Sequence, residues 1–189
     1  MTDKKPPSIA RPRKRYSPDK IVHATADDGR RIVGQQSFRD ALVAGLIIVI
    51  VFSVLWAMLS TLTNRIFPWM TIILGILVGL VIRRAGRGID WRFPTLAAVI
   101  AVAGSLASNI VVTAAFTARA LETTTLAILR AVTTMTWPVF FSEFLNAADF
   151  VYEFVAAGVA AFYANRRLNR AEFLAVKKYE EEIASLRSP

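Results

Sequence analysis

The stretch ALVAGLIIVIVFSVLWAMLSTL, Ala41 to Leu62, holds 22 residues and no charge. As a helix rising about 1.5 Å per residue it is about 33 Å long, enough to cross a hydrocarbon core of about 30 Å. Its start is marked. Ser37 stands at an N-cap position and Asp40, three residues on, can complete a capping box. The sequence predicts a membrane helix over 41–62, and the rest of the chain is read outward from it.

Downstream, Thr63-Asn64-Arg65 predicts a tight turn. FPWMTIILGILVGLVI, Phe67 to Ile82, follows as a second apolar helix, with Pro68 in its first turn, where proline is tolerated. Its 16 residues are short for a bilayer, and Arg65, Arg83 and Arg84 can snorkel to the interface. After a basic loop, RRAGRGIDWRFP, comes a third helix over 95–116. The stretch Thr125 to Phe141, TLAILRAVTTMTWPVFF, is apolar but interrupted by Arg130 and Pro138. It reads as an interfacial amphipathic helix over about 121–136, with a re-entry near 140–145. A last span is expected over 147–165. The fold class expected is all-α: a polytopic bundle of four transmembrane helices plus one interfacial helix.

The basic residues test that count. Of 23 lysines and arginines, 20 fall in the N-terminal tail, the 83–94 loop and the C-terminal tail. Loops retained in the cytoplasm carry lysine and arginine. This partition predicts both termini inside and an even number of crossings; a fifth span over 121–138 would move the C-terminal tail outside. Trp56, Trp69 and Trp137 are expected near the outer boundary and Trp91 near the inner one, as an aromatic belt. The division expected is a basic disordered tail over 1–39, a membrane domain over 40–165 and a cytosolic helical tail over 166–189. Within the first, Ile21-Val22 and Arg31-Ile32-Val33 flank Asp28-Gly29, a dipeptide that favours a hairpin turn. In the last, Val176, Tyr179, Ile183 and Leu186 form a seam for a partner helix, or an apolar face lying on the bilayer. No secretory signal peptide is visible before Ala41, so the tail is expected to be kept.

The net charge of +9 follows from cytoplasmic retention, so nucleic acid is not an expected partner. With no cysteine and a single histidine, His23, in the polar tail, thiolate chemistry, disulfides and histidine metal clusters are excluded from one chain. No cofactor or metal is expected. Gly104-Ser105 lacks the GxSxG context of a serine nucleophile, so the chain does not read as an enzyme.

Four groups of residues remain as candidates. Gly75 and Gly79 form a GxxxG spacing and Gly104 a small-residue site on the third helix. Such positions let backbones approach closely, within one bundle or between protomers. Ser105, Ser108 and Asn109 form a polar patch in mid-helix. Asp149 and Glu153 share a face of the last helix, where Arg119 or Arg130 can pair with them; an ionisable residue inside a span is a functional candidate by default. Arg83, Arg84, Arg87 and Arg92 form a basic rim suited to lipid head groups, each near-surface basic residue contributing about 1 kcal/mol. In the same loop Gly86 and Gly88 suit a tight turn, and Asp90 can cap or pair with Arg87 or Arg92.

The run Gly86-Arg87-Gly88-Ile89-Asp90, followed by Phe93, resembles a loop between the second and third helices of small four-helix bacterial integral membrane proteins of uncharacterised activity. Asn109, Asp149 and the Ala161-Phe162-Tyr163-Ala164 ending are similar too. The resemblance covers roughly residues 66–167, and Pro94 and Ser108 stand where its pattern has glycine. It implies architecture and no activity. The function expected is an interaction or scaffold subunit of a bacterial inner-membrane assembly, in contact with anionic lipids and with a membrane protein partner or a second copy. The alternative is a small transporter or channel subunit with an ion or proton site near Asn109, Asp149 and Glu153.

Overall fold

The computed structural model describes residues 24–135 and 147–187, and the described residues are all-helical, with seven helices and no strand. They are α1 (Ala26–Gly34), α2 (Phe38–Thr63), α3 (Met70–Gly86), α4 (Arg92–Ala120), α5 (Thr125–Met135), α6 (Ala147–Ala164) and α7 (Arg170–Arg187). Two of them, α2 with 26 residues and α4 with 29, are long and apolar enough to cross a membrane. The expected re-entry at 140–145, Trp137 and the first 23 residues lie outside the described residues.

Helices α2, α3, α4 and α6 form the bundle. Pairs along α2 and α4 advance together: Gly45 meets Ile100, Gly104 meets Val49, and Ser53 meets Ser108. These two helices therefore run parallel. Gly75 and Gly79 of α3 meet Ala156 and Ala160 of α6, so those two are parallel as well. The turn at 64–69 reverses the chain between α2 and α3. Asn64 closes α2 in the left-handed conformation at φ 52°, as a C-cap asparagine can. At the other end Ser37 N–H donates to the Gly86 carbonyl at 3.0 Å, and Ile89 N–H to Gln36 Oε1 at 3.2 Å. The start of α2 is thereby tied to the loop after α3.

Small residues set the helix spacing. A Cβ on Gly75 would stand 2.5 Å from the Ala156 carbonyl oxygen, and one on Gly79 would stand 2.5 Å from that of Ala160. The GxxxG pair is therefore used inside the chain, against a matching pair of alanines. Leu74, Val78 and Ile82 of the same helix are fully buried in the core. Trp56 is also fully buried, packed at 6.1 Å from the Phe52 ring. It belongs to the core and not to the expected boundary belt, because it lies on the α2 face that turns inward with Phe52, Ser53 and Ser60. Trp69 and Trp91 are exposed at opposite ends.

The hairpin expected around Asp28-Gly29 is a helix instead, so residues 26–34 are not part of a disordered tail. The physical reason is a complete capping box. Asp28 N–H donates to Thr25 Oγ1 at 3.3 Å, and Asp28 Oδ2 accepts from Thr25 N–H at 3.2 Å and from the Thr25 hydroxyl at 2.7 Å. Short helices of this length are marginal alone, and α1 packs on α7. In α7, Ala175 and Val176 are buried, Tyr179 and Ile183 half-buried, and Leu186 exposed. Of the predicted seam, Tyr179 packs with Ala175 on Gly29 of α1, so the partner it meets is a helix of the same chain.

The loop after α3 also departs from expectation. The residue at positive φ is Arg87, at 48°, and no glycine has positive φ among the described residues. Gly86 and Gly88 are small because the Phe93 ring packs directly on both. The Asp90 carbonyl accepts from Phe93 N–H at 3.2 Å, and α4 begins at Arg92 without a side-chain cap.

Close packing at α3 and open space on α6 yield a paired prediction. Gly79→Ala should destabilise the protein by about 1–3 kcal/mol through overpacking. Gly158→Ala, where a Cβ meets nothing within 4 Å, should be neutral or stabilise by about 0.5–1 kcal/mol. Thermal unfolding in detergent measures both, and equal shifts would show that α3 and α6 are not in backbone contact.

Candidate functional site

The last turn of α3 places Arg83, Arg84 and Arg87 at the end of the bundle where α6 also ends. The chain leaves α6 through Asn165, Arg166 and Arg167 before α7 begins. These five arginines line one open cavity of about 700 Å³ with Gln35, Leu80 and Glu172. Glu172 supplies the cavity's one carboxylate among the described residues. Its Oε1 accepts from Arg166 at 3.1 Å, and its Oε2 accepts from Asn169 N–H at 2.8 Å as part of the α7 start. Arg167 is braced by its guanidinium, 5.8 Å from the centre of the Phe162 ring. The basin thus gathers positive charge from two segments of the chain, with Arg166 and Arg167 held by their neighbours.

Three of the four arginines expected at a lipid rim line this basin; Arg92, exposed at the start of α4, does not. Arg166 and Arg167 were not singled out by sequence reasoning. Their signal was the doublet Arg166-Arg167 at the end of the last apolar run, matching Arg83-Arg84 at the end of the second.

A second cavity of about 420 Å³ adjoins the basin and shares Gln35, Arg166 and Glu172 with it. Its other walls come from α1 and α7, through Asp28, Arg31 and Ala175 among others. The α1–α7 pair therefore closes one side of the arginine basin. A carbonyl contact holds it: Lys178 Nζ donates to the Ala24 carbonyl at 2.9 Å.

The polar residues of the bundle interior are divided. Ser108 lies 2.6 Å from Ser53 of α2, and each can also donate to a carbonyl of its own helix, Gly104 or Val49. One hydroxyl proton therefore bridges the helices and the other bonds backwards. Ser105 bonds the Val102 carbonyl of α4 at 2.9 Å, and Asn109 is half-buried. The helix-to-helix bond is carried by serine, and its partner, Ser53, was missed. Glu153 is 4 % exposed, and its Oε1 has no hydrogen-bond partner among the described residues; Trp56 Nε1 and Ser60 Oγ share that condition. Arg119, expected to be able to reach the acidic pair, donates instead to the Thr61 carbonyl in the last turn of α2. There it satisfies a carbonyl that the helix end leaves open. No group of His, Cys, Asp and Glu able to hold a metal occurs among the described residues.

Compared with known protein families, curated proteins and solved structures, the chain finds no match in any of the three.

The capping box makes the wall of the basin sensitive to pH. The hydrogen bonds from Thr25 hold the Asp28 carboxyl below its ordinary value. A carboxyl depressed in the folded state stabilises fully above its unfolded pKa and loses that contribution as pH falls through the folded one. Protection of the amides of residues 29–34, measured against their intrinsic exchange rates, should therefore fall below the ordinary carboxylate range while bundle amides stay protected. Asp28→Asn should reproduce the effect at neutral pH. Unchanged protection in both cases would remove the capping box from the account.

Proposed function

We propose that this is an integral membrane protein crossing four times through α2, α3, α4 and α6, with its arginine end in the cytoplasm of a bacterial inner membrane. The observation that carries the reading is the outward face of the bundle. Leu46, Ile47, Ile50, Leu55 and Met58 of α2 are each at least 50 % exposed, as are Val99 of α4 and Val151, Phe154 and Phe162 of α6. A water-soluble protein rarely leaves so wide an apolar surface uncovered. The charge supports it, since 20 of 23 basic residues would then share one side of the bilayer. At 17 and 18 residues, α3 and α6 reach only about 26–27 Å. Snorkelling arginines and local thinning of the bilayer make up the difference. Phe173 and Leu174, exposed at the start of α7, would dip into the interface beside anionic head groups.

Within that membrane the chain acts as an interaction subunit. The bundle axis is filled by Trp56, Leu74, Val78 and Ile82, which favours a solid scaffold over a conduit. Its accessible chemistry is a smooth apolar flank for another membrane helix and a basic end for anionic partners. A second reading, a small transporter subunit, is favoured by one observation: a buried carboxyl oxygen of Glu153 that has no hydrogen-bond partner among the described residues. Such a group in hydrocarbon is expensive unless it is used.

Topology is tested with a reporter active only outside the cytoplasm. It should work when fused near Thr125 and stay silent at Pro189; the reverse pattern would sink the four-crossing reading. Function is tested with the double variant Asp149→Asn/Glu153→Gln in native membranes. Cross-linked partners should be recovered as from the wild type, with no change in ion or proton flux. Lost flux with partners retained would replace the scaffold with the transporter.

A further inference from the structure

The arginine basin brings charges from two distant segments of the chain to one cavity. Arg83 lies in the last turn of α3, and Arg87 closes that helix in the left-handed conformation with its N–H donating to the Arg83 carbonyl at 3.3 Å; both line the basin. Arg166 and Arg167 come from a different segment, and the ends of α3 and α6 coincide because Gly75 and Gly79 hold those helices in contact. Five guanidiniums and one carboxylate line a cavity of about 700 Å³, and that carboxylate is already occupied by Arg166 and Asn169 N–H. Like charges that line one cavity repel one another. An anion seated among them removes that repulsion. A guanidinium presents parallel N–H donors in a planar fork that fits the oxygens of a phosphate. Gln35 adds a neutral polar group at the wall, and Leu80, one turn below Arg83 and Arg84, adds an apolar one.

We propose that the basin formed by Arg83, Arg84, Arg87, Arg166 and Arg167 binds a phosphate group, seated between the α3 end and the α6–α7 connection. The phosphate of an anionic lipid head group fits best, because Leu80 adds an apolar wall against which an acyl chain would lie. A free phosphate offers the same oxygens and is the other source of the ligand. The lipid source rests on the membrane reading above; the phosphate site itself does not. A chain that passes the topology test and binds no phosphate fails here alone.

The test uses the full chain, purified and delipidated in detergent, with adducts counted by native mass spectrometry. The probes are dioctanoyl phosphatidic acid, dioctanoyl phosphatidylcholine and inorganic phosphate. The wild type should retain phosphatidic acid at least about tenfold better than phosphatidylcholine, as expected when several charge-assisted bonds form. Arg84→Gln/Arg87→Gln/Arg167→Gln should lose that preference, the matching lysine triple should keep part of it, and Arg65→Gln, outside the basin, should keep all of it. If the glutamine triple melts early, Arg87→Gln and Arg167→Gln tested singly should each show a smaller loss. Equal binding by the wild type and the glutamine variants, or an equal loss in Arg65→Gln, overturns the proposal. Displacement of the lipid by millimolar inorganic phosphate assigns the site to free phosphate, and persistence of the lipid assigns it to a head group.

Discussion

The backbone contact between α3 and α6 is the constraint on which the rest depends. At Gly75 and Gly79 the carbonyls of Ala156 and Ala160, joined at Gly79 by the Tyr163 Cβ, fill the space that a side chain would need. Where lipid surrounds a bundle, apolar burial gives no preference for protein over solvent, and association rests on close packing and on interhelical hydrogen bonds. The glycine–alanine seam supplies the first and the Ser53–Ser108 bridge the second. The seam also sets the axial position of α3 against α6. Because the two run parallel and in fixed register, their arginine-rich ends arrive at one level, and the basin exists only as a result of that alignment.

The helices were legible because their signals are local. The uncharged run from Ala41 to Leu62, the Ser37 cap and the Asn64 turn each need only neighbouring residues to act. Even so, Ser37 makes only half of the expected capping box, accepting from Asp40 N–H. What was not legible depended on distant partners. Residues 26–34 contain β-prone side chains and a turn dipeptide, and a helix wins there because Thr25 caps it and α7 covers it. Trp56 fits an interfacial belt by composition, but the inward face of α2 is set by which helix packs against it. The arginine basin was half visible: Arg83, Arg84 and Arg87 stand in one sequence segment, whereas Arg166 and Arg167 join them only through the fold. Arg92 is close to these in sequence but begins a different helix.

The interior shows how polar atoms are tolerated in an apolar bundle. Ser53, Ser105 and Ser108 return their protons to carbonyls within a turn or share one across helices, so they add little penalty. Trp56 Nε1, Ser60 Oγ and Glu153 Oε1 have no such arrangement among the described residues. The two readings of function differ over that contrast. A scaffold tolerates these groups as a local loss of stability, whereas a transporter would fill them in turn during its cycle.

The pairing of α1 with α7 has a consequence for how the protein is made. Ala24 and Lys178, which its hydrogen bond joins, are 154 residues apart. At about 5–20 residues synthesised per second, α1 waits on the order of 10–30 s for the surface it docks on. Every bundle helix has been synthesised by then. The wall of the arginine basin thus closes only after all four bundle helices have been made, and its closure marks a chain synthesised through α7.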